Sequence, residues 1–150
     1  MTTTTDRIEK QIVLRAAPAR VWRALSNARE FGTWFGAEFQ DDFAPGKDAH
    51  GKIKYQGKEL TVTFAVERME PERLLAFRWH PYAIDPTADY SSEPMTLVEL
   101  ALAAVPEGTR LTVTETGFDK IPIARRAKAF EMNSGGWAAQ LDNIARHVHT

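Results

Sequence analysis

Few residues in this chain pair a reactive group with a setting that can use it, and Glu115 is the first of them. Leu111 and Val113 alternate with Thr112 and Thr114, so a period of two turns Glu115 to the same face as the apolar pair. A carboxylate that closes an apolar row can hold a polar group of a ligand or act as an acid/base group. The plainer alternative is a strand end that reaches water. His80 follows Trp79 and precedes Pro81. It can serve as a base or a ligand contact, although a lone histidine at a strand end is usually solvated. His147 and His149, two apart near the chain end, make a poor metal pair. Lys120, Arg125, Arg126 and Lys128 form a small basic cluster. It reads first as a solvated helix face and second as a patch for a partner.

Rings are the other notable group. Trp34, Phe35, Phe77, Trp79 and Trp137 fall on segments expected to face one another. Rings in that arrangement can line a pocket for an apolar or ring-bearing molecule, or simply fill a core. The candidate ligand-binding set is Trp34, Phe35, Phe64, Phe77, Trp79, Val98, Leu100, Val113, Glu115, Asn133, Gly136 and Trp137. No residue is assigned as catalytic and none as a metal ligand, and no cofactor is expected. Gly-x-Ser-x-Gly, His-Glu-x-x-His, Walker and Gly-x-Gly-x-x-Gly motifs are all missing. Serine-hydrolase, zinc-protease and nucleotide-binding readings therefore lack support.

Composition narrows the class further. A chain of 150 residues with 43% hydrophobic and 26% charged residues fits one globular domain. A net charge of −1 gives no pull towards nucleic acid or anionic membrane. Without cysteine there are no disulfides, thiolate sites or cysteine nucleophiles, which fits a reducing cytosol. No signal-like apolar segment follows Met1, and no apolar run approaches 18 residues. We expect a soluble, cytoplasmic protein.

These candidates must be positioned by recognisable elements. Residues 1–7, with Thr2–Thr5 in a row, read as a disordered start, and residues 8–150 as the domain. A strand over Ile8–Arg15 precedes Ala17-Pro18, which opens a helix faced by Val21, Trp22 and Leu25. Ser26-Asn27 can end it and cap a second short helix carrying Phe31, Trp34 and Phe35. Strands follow at Phe39–Phe43, through Ile53 and Tyr55, and at Val62–Val66, Leu75–Trp79, Val98–Leu102 and Leu111–Val113. Their alternation, with turn signals between them, indicates an antiparallel sheet with one buried face. Pro81–Pro94 breaks the pattern, with three prolines and two tyrosines over a long aperiodic stretch. Loops of that length in a compact domain are often lids or binding loops. The alternative is a surface connection.

At the C-terminus, Ile123, Ala127, Phe130, Ser134, Trp137, Leu141, Ile144 and Val148 recur at spacings of three and four. If Pro122 starts it, this is one helix roughly 40 Å long. Gly135-Gly136 lies at its middle, where each glycine costs about 1 kcal/mol against alanine. The stripe keeps phase across the pair, so a single helix, with a bend there or without, is favoured over a break. Close backbone approach or room for a ligand opposite the sheet would account for the glycines.

Several strings resemble those of a known group. They are Ala17–Leu25, Trp34-Phe35, Leu74–Trp79, Thr109–Phe118 and Asn133–Trp137. In this order they are similar to the SRPBCC superfamily, also called START-like or Bet v 1-like, over about residues 8–148. Within it they look like the branch named after the C-terminal domain of the activator of Hsp90 ATPase. The resemblance implies an α+β helix-grip fold, in which a curved antiparallel sheet wraps a long C-terminal helix and encloses a mainly apolar cavity. Such cavities hold lipids, sterols, polyketides or other apolar molecules. Three readings follow. The first is a binding protein for a small apolar or amphipathic molecule. The second is an enzyme of cyclase or hydrolase type using Glu115 and His80. The third is a module that binds a chaperone of the Hsp90 type. Whether the chain forms a homodimer stays open.

Overall fold

A computed structural model describes residues 6–85 and 87–149. Residues 1–5 of the expected disordered start, and Pro86 of the long loop, lie outside the described residues. The first strand takes in Arg7, which pairs with Thr116.

The chain order is β1 (Arg7–Leu14), α1 (Pro18–Ser26), α2 (Ala28–Phe35), β2 (Glu38–Phe39), β3 (Asp48–Tyr55), β4 (Lys58–Glu70), β5 (Leu74–Trp79), β6 (Thr96–Val105), β7 (Gly108–Thr116) and α3 (Ile123–Val148). The strands form one antiparallel sheet in the order β1-β7-β6-β5-β4-β3-β2. With α3 and the two short helices this is the α+β helix-grip arrangement. Local chemistry explains the joints. Pro18 sits in the first turn of α1, where its missing N–H is no loss. Asn27 ends α1 and caps α2, its side-chain oxygen accepting from Glu30 N at 2.9 Å. Between β3 and β4, Gln56 and Gly57 both have positive φ (51° and 77°), as a two-residue hairpin loop with the right twist requires.

Register lays the inward rows side by side. Ile8 faces Glu115, Glu115 faces Val98, and Val98 faces Phe77. Next to this row, Leu100 faces both Val113 and Leu75. All of these side chains are buried. α3 runs unbroken for 26 residues, about 39 Å, and buries Ala129, Trp137, Leu141, Ile144 and Val148.

Three expectations need correction. Ile123, assigned to the buried stripe, is 83% exposed. Phe118 and Ile121, at the turn before α3, are instead fully buried. The expected Phe39–Phe43 strand pairs only over Glu38–Phe39. Beyond it the Asp41 carboxylate takes the His50 N–H, and Phe43 turns into the core. Gly135 and Gly136 are solvent-facing, and a Cβ on either would meet nothing within 4 Å. Close backbone approach therefore does not account for them.

Candidate functional site

Glu115 ends the inward row of β7 and is fully buried. Three other elements bring donors to it. From β5, Trp79 donates its indole N–H to Oε2 at 2.7 Å. Thr96, at the start of β6, donates its hydroxyl to the same oxygen at 2.5 Å. From α3, Trp137 donates to Oε1 at 2.8 Å, and the Asn133 amide reaches Oε1 and Oε2 at 3.0 and 3.1 Å. Two indoles and an amide NH2 can only donate, which matches an acceptor-only carboxylate. The group therefore ties three strands to α3, with each oxygen supplied.

The space expected to be a ring-lined hollow is filled. Phe64 stacks on Phe77 with centroids 3.9 Å apart, and Phe31 lies against both Phe43 and Phe64 at 5.4 and 5.6 Å. Phe35 and Trp79 each approach Trp137, at 6.1 and 5.8 Å. Trp34 is buried and donates its indole N–H to Ala24 O at 2.9 Å, locking α2 to α1. Such offset and edge-to-face ring packing fills a core, and of these rings Phe35 and Trp79 also border the open space described next.

An open cavity of about 730 Å³ lies to one side of this cluster. Its floor is the β3–β4 hairpin, with Ile53, Leu60 and Val62 among polar neighbours such as Lys54 and Thr63. Phe35 and Gly36 close one end; Trp79 and His80 lie at the other, where the chain leaves β5. Asn133 and Gln140 come from α3. The remaining side is the long loop after β5, through Tyr82, Ala83, Ile84, Ala88, Tyr90 and Ser91. The lining is mixed rather than mainly apolar.

Arg125, near the start of α3, fastens that loop at both ends. Its guanidinium pairs with Glu93 at 2.6 Å and donates to the carbonyls of Pro81 and Tyr82 at 2.8 and 3.3 Å. It also lies 4.8 Å over the Tyr90 ring. His80 Nε2 lies 3.1 Å from the Glu93 carbonyl, which only accepts, so the ring donates there. Burial, with help from a hydrogen bond to Tyr55 and the charge of Glu131, pushes the Tyr82 phenol above its ordinary value.

Among the sequence candidates, Phe35, Trp79 and Asn133 border this cavity. Trp34, Phe64, Phe77, Val98, Leu100, Val113 and Trp137 are core side chains away from it. Glu115 stands one residue behind the wall, holding Trp79 and Asn133. Gly136 is on the solvent face of α3. The basic cluster does not act as a unit. Arg125 turns to the loop, Arg126 donates to Ile121 O, and Lys120 and Lys128 are exposed. His147 bonds Glu30 at 2.9 Å and His149 Nε2 accepts from Arg15 N, so both tie the C-terminus to the body of the domain. Among the described residues no group of three His, Asp or Glu side chains gathers as a metal site. Sequence reasoning missed Arg125 as a loop fastener and the hairpin floor. The uncommon length of Pro81–Pro94 was the available signal for both.

Fold and site together define a helix-grip domain with a side cavity under a fastened loop. The sequence pattern of the family described as activator of Hsp90 ATPase homolog 1-like protein matches residues 15–149, and the chain belongs to that family. Solved structures agree on the fold. A protein from Arthrobacter aurescens superposes with a TM-score of 0.80 at 18% identity, covering 99% of this chain and 90% of that one. CV1439 from Chromobacterium violaceum gives 0.76 at 19%, covering 98% and 99%. DynU16, from the dynemicin biosynthetic locus, gives 0.72 at 22%, covering 97% of this chain and 48% of that one. No curated protein matches the chain in sequence.

Proposed function

We propose that this chain is a binding protein for a small amphipathic molecule, held between the β3–β4 hairpin, the long loop and α3. The observation that carries the reading is the cavity of about 730 Å³. Ligand sites typically span roughly 300–1,000 Å³ and combine apolar walls with a few placed polar groups. Phe35, Trp79, Ile53, Leu60 and Val62 supply the walls, and Asn133, His80 and Lys54 supply polar groups. Membership of the family supports the fold that makes such a cavity, and fold by itself does not specify the ligand.

An acid/base role for Glu115 gains nothing from the geometry. A catalytic acid or base must come within hydrogen-bond reach of the reacting group. Glu115 is fully buried, does not border the cavity and has both oxygens engaged by protein donors. A chaperone partner and a homodimer have no specific observation in their favour.

Titration with a neutral, polarity-sensitive dye such as Nile red, alongside native mass spectrometry of the purified chain, tests the proposal. Dye should bind saturably at one site. Val62→Trp, which places a large ring in the cavity, should weaken it by about tenfold, the equivalent of roughly 1.4 kcal/mol. Saturable dye binding untouched by Val62→Trp would place the dye elsewhere and remove the support for this cavity.

A further inference from the structure

We propose that Asn133 selects the ligand by its polar end: its side-chain oxygen accepts a hydrogen bond from a hydroxyl or amine carried on an otherwise apolar, ring-bearing molecule. This rests on the cavity described above and names the chemical class of its occupant.

The argument begins at Glu115. Its carboxylate takes Nδ2 of Asn133 on both oxygens, at 3.0 and 3.1 Å. A carboxylate offers no proton, so the amide must present its NH2 and cannot flip. The amide carbonyl Oδ1 is then directed away from Glu115. Among the described residues no donor reaches Oδ1, and no buried side-chain polar atom there lacks a partner. Oδ1 therefore lies on the accessible side of Asn133, and Asn133 borders the cavity.

Two other polar residues of the lining, His80 and Gln140, are already engaged. His80 is bonded to the Glu93 carbonyl. The Gln140 amide donates to Phe35 O and accepts from Asn143. The Trp79 indole N–H is turned to Glu115, so its ring contributes an apolar surface beside Asn133. The result is an uncommitted acceptor next to a fixed indole. An acceptor rewards a ligand that brings a donor, and a ligand without one leaves the carbonyl dry and unpaired. The buried carboxylate just behind adds negative potential, which disfavours anionic ligand ends here.

Matched probes test this in the full chain. 2-Naphthol and 2-methoxynaphthalene share a ring system, and only the first can donate. Isothermal titration should give the naphthol a tighter Kd by about three- to tenfold, the range of one neutral hydrogen bond. In Asn133→Ala, checked for fold by circular dichroism, the ratio of the two affinities should fall to about one. Equal affinities in the unmodified chain would overturn the inference and leave the cavity reading standing. A preference that survives Asn133→Ala would overturn it in the same way. If neither probe binds, the cavity reading fails and the inference fails with it.

Discussion

Glu115→Gln changes one atom at the point where four elements meet, so its cost can be worked from the bonds. Glutamine keeps one acceptor oxygen and replaces the other with an NH2. If the NH2 takes the Oε2 position, the Thr96 hydroxyl can rotate to accept from it, but the Trp79 N–H then faces an N–H. If it takes the Oε1 position, Asn133 can turn its carbonyl inward, but the Trp137 N–H is left without an acceptor. Either orientation strands one indole donor, at about 1–3 kcal/mol. The charge-assisted bonds that remain become neutral ones, which are roughly half as strong. Relief from burying a charge offsets part of this, so we expect a net loss of about 2–3 kcal/mol. For a domain of this size that lowers Tm by roughly 4–12 °C. Urea unfolding followed by circular dichroism and tryptophan fluorescence measures it, and an unchanged m-value keeps the comparison two-state. A Glu115→Gln protein within about 0.5 kcal/mol of the parent would refute the reasoning, because that is the range of surface changes.

Other perturbations probe separate parts. Gly135→Ala and Gly136→Ala should each stabilise the chain by about 0.5–1 kcal/mol in urea unfolding, since both face open space within a helix; destabilisation would mean the pair is packed. Arg125→Ala removes the Glu93 pair and two carbonyl contacts, so amide exchange across residues 81–94 should speed up by tenfold or more while core strands keep their protection. Loop exchange at the parent rate would show that other contacts hold the loop. Glu30 has its carboxyl held below the ordinary value of 4.5: burial pushes it up, but hydrogen bonds from His147 and Arg20 and the charges of Arg20 and Arg23 outweigh burial. A depressed folded-state pKa gives stability that is fully present above about 4.5 and is lost as pH falls through the folded value. The deficit of Glu30→Gln should therefore be largest near neutral pH and shrink below pH 4.5 in parallel urea titrations; a deficit constant across that range would contradict it.

The order of elements was legible because each carries a local signal. Alternation marks β4 to β7, and the Asn27 cap and Pro18 mark the two short helices. The phase of α3 was legible from Trp137 to Val148 and failed in its first turns, where Ile123 and Ala127 are exposed and Ala129 is buried instead. That displacement is tertiary and leaves no trace in spacing. The inward side of Glu115 also followed from alternation, but its isolation from water did not, since its donors come from residues 19 to 36 positions away along the chain as well as from the helix. Rings gave the least information. Phe35 and Phe64 are the same residue type on facing elements, yet one borders the cavity and the other is sealed. Phe64 is sealed by Phe31, Phe39, Phe43 and Phe77, a tertiary arrangement that residue type does not encode.

The buried carboxylate also settles where α3 can lie along the sheet. An apolar stripe repeating every three or four residues tolerates sliding, because Trp137, Leu141, Ile144 and Val148 offer similar surfaces at each step. Glu115 does not tolerate it. Asn133 and Trp137 are four apart, one turn on the same helix face, and both reach one fixed carboxylate. A shift by one turn, about 5.4 Å, would put Trp137 where Asn133 lies and remove one of the two donors. It would also carry Asn133 away from the cavity wall. The residue that sets the register of the helix is thus the residue that orients the exposed amide oxygen, and the position of α3 and the polarity of the cavity wall are fixed by the same set of bonds.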